Sequence, residues 1–168
     1  FAEPGYKYGL EPNAFLREQA IRLAPASRVL VPGVLASRRH VNLPGVDVNL
    51  PAFTAKDRAD AAVGLEEGVD YLAQSFVRRA ADVHELRAFI MERNARAQII
   101  AKIEDQSAIE NLDEIIQACD ALMVARGDLA IEVGNAAVPA LQKKMIRMAR
   151  ELDKIAITAT QMMESMIL

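Results

Sequence analysis

From Thr54 onward, short apolar runs recur along the chain, each followed by an amphipathic stretch, and this rhythm restricts the fold more than any other feature. Gln98 to Ile103, Ala121 to Ala125 and Ile155 to Ala159 are apolar almost throughout and lack the polar alternate face of a half-solvated strand. Strands of that kind are covered on both sides. Val69 to Phe76 reads as a further strand. Between them the apolar residues fall at helical spacing. The spacing predicts a helix from Thr54 to Gly68, opened by a capping-box-like Thr54 and Asp57. It predicts others over Asp82–Asn94, Ala108–Cys119 and Val138–Leu152, with a last one opening over Gln161–Ile167. Alternating β and α elements require a parallel sheet with right-handed crossovers. The fold class is therefore α/β, built of parallel β/α units. There are no internal repeats and no low-complexity tracts.

The opening third differs. Tyr6 to Pro12 reads as a loop, Asn13 caps a helix through Leu23, and Arg28 to Val31 is a short strand stopped by Pro32-Gly33. Val34 to Pro51 reads as short extended pieces and turns. The 168 residues suffice for one domain with a real core. Lys and Arg total 20 against 23 Asp and Glu, a net charge of −3, which speaks against an electrostatic nucleic-acid binder. With one cysteine, Cys119, and two distant histidines, His40 and His84, neither an internal disulfide nor a Cys- or His-rich metal site is expected. No apolar run approaches about 18 residues, so no membrane span is expected. No basic-then-apolar leader opens the chain, and a reduced cytoplasmic setting is the expectation. The start at Phe1 rather than Met reads as a fragment or a processed chain.

Polar residues recur where each strand ends. Ser75, Lys102, Asp128 and Thr160 follow one another at intervals of 27, 26 and 32 residues. In a parallel sheet or barrel that rim is where ligands bind. Lys102 and Glu104, two positions apart, face one space; the plainer alternative is a strand-end ion pair. Gly127 permits close backbone approach, and its N–H with that of Asp128 suits a carboxylate. Asp128 and Glu104, expected on adjacent strand ends, suit Mg²⁺ or Mn²⁺, which take oxygen ligands and few protein carboxylates. An exposed Arg-Gly-Asp turn is the alternative there. Thr160 is placed to donate to a substrate or relay a proton, or simply caps the following helix. Cys119 reads as a small buried residue with no base beside it, the methionines as core fillers, and Lys143, Lys144 and Arg147 as a solvated helix face.

These stretches carry a family resemblance. Ser37 to Gly45, Leu50-Pro51-Ala52 with Thr54 to Asp57, Ser75 to Arg78, Ile99 to Glu104, Met123 to Leu129 and Thr158 to Ser165 closely resemble pyruvate kinase. The resemblance covers residues 34–168 and implies strands four to seven of a (β/α)₈ TIM barrel. It implies transfer of a phosphoryl group from phosphoenolpyruvate to ADP, giving pyruvate and ATP in glycolysis. By the same resemblance, Lys102 stabilises the transferring group, and Glu104 and Asp128 ligate Mg²⁺ or Mn²⁺. Arg126, Gly127, Asp128, Thr160 and Ser75 bind substrate, and Thr160 is also a catalytic residue near the proton-transfer site. Ser75 neighbours a K⁺ site. The family's early-strand arginine, asparagine and aspartate, its lid, eighth strand and effector domain have no counterpart in these residues. Ala130 stands where glycine is usual.

Residues 1–33 are set apart as a separate N-terminal unit. Tyr8 to Leu16 with Arg28 to Gly33 is similar to the start of small S-adenosylmethionine-dependent methyltransferases of the tellurite-resistance type, although the later loop glycines never come. The expectation is a pyruvate kinase barrel segment with little turnover of its own. A non-catalytic α/β module keeping the metal and carboxylate site is the alternative, and a remnant methyltransferase a third. Four or five parallel strands cannot close an eight-stranded barrel. Open edges and a bare apolar face are therefore expected, and with them a homo-oligomer.

Overall fold

A computed structural model of the chain describes residues 29–30 and 51–159. The predicted loop at Tyr6–Pro12, the helices at Asn13–Leu23 and Gln161–Ile167, the turns from Val34 up to residue 50, and Thr160 lie outside them.

The described elements are β1 (Val29–Leu30), α1 (Ala55–Glu66), β2 (Tyr71–Gln74), α2 (Ala80–Glu92) and β3 (Gln98–Ile103). There follow α3 (Gln106–Glu110), α4 (Leu112–Ala118), β4 (Ala121–Ala125), α5 (Arg126–Val133), α6 (Val138–Glu151) and β5 (Ile155–Ala159). The five strands form one sheet in the order β1-β2-β3-β4-β5, and every pairing is parallel. Strand order follows chain order, so each β/α unit steps one place in the same direction, as in a barrel that winds round one axis.

Period-two alternation sorts the strand residues between the two faces. Leu72, Ile99, Ala101, Ile103, Leu122 and Val124 join the helical residues Val83, Leu86, Phe89, Ile115, Ile116 and Met145 in the main core. Ala73, Ile100, Ala121 and Met123 form a second, smaller cluster, with Tyr71, Ile157 and Ala159 packed against it. That second face was expected to be bare. Instead Ala73, Ile100 and Ala121 are 0% exposed and Met123 3%. Solvent reaches the sheet at β5, where Ile155 is 44% exposed and the remaining residues are half-buried.

The capping box at α1 forms as its sequence dictates. Thr54 Oγ1 accepts from Asp57 N–H at 3.2 Å, and Asp57 Oδ2 accepts from Thr54 N–H at 2.8 Å. The helix predicted over Ala108–Cys119 is two, α3 and α4, hinged at Asn111. Asn111 Nδ2 donates to Arg78 O at 2.9 Å and Ala80 N–H donates to Glu114 Oε1 at 3.0 Å. The hinge therefore grips the loop that follows β2. Asp105 opens α3 by accepting from Ala108 N–H at 2.8 Å. Burial raises its pKa, with the Ala108 hydrogen bond opposing.

Two charged side chains lock layers together below the rim. Asp120, just before β4, accepts from Ile99 N–H at 2.8 Å and from Arg87 of α2 at 3.0 Å. Lys154 donates to the carbonyls of Ile116, Gln117 and Cys119 at 2.7, 2.8 and 2.7 Å, closing the C-terminus of α4. Asp120→Ala would remove the side-chain acceptor of the Ile99 strand N–H and the counter-charge of Arg87, whose Nη2 keeps Ala118 O at 2.7 Å. The expected loss is about 2–3 kcal/mol of folding stability, read by urea unfolding. A loss below about 0.5 kcal/mol would show that water replaces the carboxylate at no cost.

Candidate active site

The rim at the C-terminal ends of β2, β3 and β4 gathers most of the sequence-predicted residues. Lys102 is the fifth residue of β3, and Glu104 follows its last. Both point to the face of Ile100, away from the helices, because they share its parity. Lys102 Nζ lies 2.6 Å from Glu104 Oε1 and donates to Ser75 Oγ at 2.7 Å. The other carboxylate oxygen, Glu104 Oε2, accepts from Phe76 N–H at 2.7 Å. Glu104 is 3% exposed. Burial raises its pKa, the Lys102 charge and the two hydrogen bonds oppose that, and the charge of Asp128 pushes it further up.

Asp128 itself does not lie on a strand. β4 ends at Ala125, and Arg126 to Val133 are helical, so Asp128 sits in the first turn of α5. This corrects the sequence reading of Met123 to Asp128 as one strand end. The residues Arg126, Gly127 and Asp128 are half-buried and helical, not an exposed turn. The first N–H groups of a helix have no partner within it, so this turn offers donors to an anion. The sequence signal for α5 was present: Leu129 and Val133 at i and i+4, an acid in the first turn, and Gly134 at its end. Gly134 has φ +81°, a conformation that favours glycine.

Arg126 turns its guanidinium to α6, where Nη1 donates to Gln142 Oε1 at 2.8 Å. Its Nε is buried and has no acceptor. Gln142 and Phe76 were not singled out from the sequence. A contact between helices 16 residues apart leaves no motif. Phe76 has φ +54°, and nothing in the residue type announces a left-handed phenylalanine.

By donor chemistry, Glu104 and Asp128 are the carboxylates of this rim that would hold a divalent ion. Each oxygen of Glu104 keeps accepting capacity beyond the contact it makes. Among the described residues no three His, Cys, Asp or Glu side chains gather as a metal cage. Mg²⁺ needs no such cage, since it takes one or two carboxylates and completes its shell with water and substrate oxygens.

A family model described as "Pyruvate kinase, barrel domain" matches residues 17–168. The chain belongs to the pyruvate kinase family. Pyruvate kinase of Geobacillus stearothermophilus is 52% identical over 139 residues, 82% of this chain and 24% of that protein. Those of Bacillus licheniformis and Sporosarcina psychrophila are 49% and 50% identical over 141 and 135 residues, covering 83% and 80% of the chain and 24% and 23% of theirs. The chain thus spans about a quarter of the length of the curated relatives it matches. The sheet of parallel β/α units is that of a partial TIM barrel of the pyruvate kinase type. The pyruvate kinase match takes in Val29–Leu30, which pairs with β2. The methyltransferase resemblance of residues 1–33 finds no support. Among the described residues no helix is long and apolar enough to cross a membrane.

Cys119, at the end of α4, stands apart from the site. Burial pushes its thiol up to about 11, against the opposing charge of Lys154. The thiolate is the reactive form, so alkylation by iodoacetamide at pH 8 should run roughly a hundredfold slower in the native chain than in urea. Equal rates would mean that the segment opens freely.

Proposed function

We propose that the chain carries the phosphoryl-transfer rim of a pyruvate kinase, acting on phosphoenolpyruvate and ADP to give pyruvate and ATP in glycolysis, in the cytoplasm. The observation that supports this most is the Lys102 ammonium, moored by Ser75 and Glu104 at the end of β3. A cation so held faces the oxygens of a transferring phosphoryl group, where positioning and charge neutralisation supply most of the catalysis. Glu104 and Asp128 would hold Mg²⁺ or Mn²⁺, which when bound neutralises phosphate charge. The N–H groups of Gly127 and Asp128 receive the substrate carboxylate, and Arg126 adds positive charge beside it. As the P–O bond to the enol oxygen breaks and a bond to the ADP phosphate forms, the enolate carbon takes up a proton. Thr160 is assigned that side of the substrate. K⁺ belongs to the family expectation, but no step is assigned to it.

Turnover by the 168-residue chain assayed alone is expected to be very low. The second reading is a non-catalytic module that retains the metal and carboxylate site.

Manganese relaxation of solvent water tests the site in either case. The chain should bind Mn²⁺ weakly, since two carboxylates leave several waters on the ion, and Asp128→Ala should weaken the effect about tenfold. Unchanged relaxation would remove the assignment. A lactate-dehydrogenase-coupled assay separates the two readings, because turnover of about 1–100 per second would sink the non-catalytic one.

A further inference from the structure

The Lys102 ammonium has three N–H donors, and the rim engages two of them. One goes to Glu104 Oε1 at 2.6 Å and one to Ser75 Oγ at 2.7 Å. Ser75 lies outside β3; it follows β2, the neighbouring parallel strand. The next residue, Phe76, lies in the left-handed region at φ +54° and donates its N–H to Glu104 Oε2 at 2.7 Å. A phenylalanine in that region is strained, and such strain concentrates where the surroundings fix a functional geometry. Here a two-residue turn touches both members of the Lys102–Glu104 pair.

We propose that Ser75 is a positioning residue: by accepting one ammonium proton it stops rotation about Cε–Nζ and aims the remaining N–H of Lys102 at an anionic oxygen of a phosphorylated ligand. Ser75 itself touches the lysine and not the ligand. With one acceptor the ammonium group would turn freely, and a ligand would bear the cost of ordering it; with two, the donor is preorganised. This inference rests on the phosphoryl-transfer reading of the same rim.

The test uses the full 168-residue chain, its Ser75→Ala and Ser75→Thr variants, and two probes: Mn²⁺ alone by water relaxation, and phosphoenolpyruvate by ³¹P NMR titration. Ser75→Ala should weaken phosphoenolpyruvate binding roughly five- to tenfold and leave Mn²⁺ affinity and the thermal midpoint unchanged. Ser75→Thr keeps the hydroxyl and should restore the affinity. A serine with a merely structural role would move the midpoint and both ligands together, which overturns the proposal. So does unchanged phosphoenolpyruvate binding in Ser75→Ala. If Ser75→Ala does not fold, Ser75→Cys, with its weakly accepting sulfur, carries the same comparison. A parent chain that binds no phosphoenolpyruvate takes the phosphoryl-transfer reading down with this inference. A parent that binds, with an equally tight Ser75→Ala, overturns the inference alone.

Discussion

Replacing Lys102 with methionine should eliminate any phosphoryl transfer the chain supports and lower its folding stability by about 3 kcal/mol. Both effects come from one charge. On the ligand side, Lys102 is the cation proposed to face the phosphoryl oxygens, and methionine keeps its length without its charge. On the protein side, the Glu104 side chain is 2% exposed and Lys102 is its charged partner. Breaking a buried pair from one side leaves a carboxylate with neither water nor counter-charge, and such losses are large. The Phe76 N–H remains on Oε2, so the expected cost lies at the lower end of that range. The double variant Lys102→Met/Glu104→Gln separates the two effects. Glutamine still accepts from Phe76 N–H but carries no charge, so urea unfolding should recover most of the lost stability while turnover stays absent. A Lys102→Met chain as stable as its parent would show that Glu104 reaches water. Turnover persisting in it would assign the transferring charge to another cation.

The strands were legible in the sequence to different degrees, and the reason is how each one ends. Gln98–Ile103, Ala121–Ala125 and Ile155–Ala159 fall where the apolar runs place them. The strand predicted over Val69–Phe76 is shorter, Tyr71–Gln74. Val69 N–H turns back to Gly64 O at 3.1 Å, and the chain leaves the sheet at Ser75-Phe76 to reach the Lys102–Glu104 pair. The residues that shorten β2 are the ones that build the rim. The same competition hid α5. Arg126-Gly127-Asp128 reads as the close of the strand or as an exposed turn, since glycine and aspartate are poor helix formers, yet α5 starts there, directly after β4. The i, i+2 placement of Lys102 and Glu104 follows from strand geometry alone. The left-handed Phe76 and the Arg126–Gln142 contact are set by packing between elements, which local pattern does not encode.

The chain should self-associate through β5, and a charge at Ile155 should undo it. Among the described residues β5 ends the sheet order, with β4 on one side and no strand on the other. It is also the one long strand that is not well buried: β4 is buried at every position, whereas Ile155 is 44% exposed and Ala156 to Ala159 are half-buried. A strand edge with no partner among the described residues is a template for another strand, and an exposed isoleucine adds to it. Ala73, Ile100, Ala121 and Met123 are buried, while Ile155, the register partner of Ala121, carries the exposure of that face out to β5, so the expected contact is centred on the β5 edge. Light scattering after size exclusion should report a dimer. Ile155→Lys loses the burial of one large side chain and brings two like charges to the edge, so it should weaken association by about tenfold or more. It should leave the Lys102 rim, at the opposite end of the strands, unaffected, and Mn²⁺ binding checks that. A monomer for the parent at high concentration would show that β5 is covered within its own chain, and a dimer that survives Ile155→Lys would move the contact to another surface.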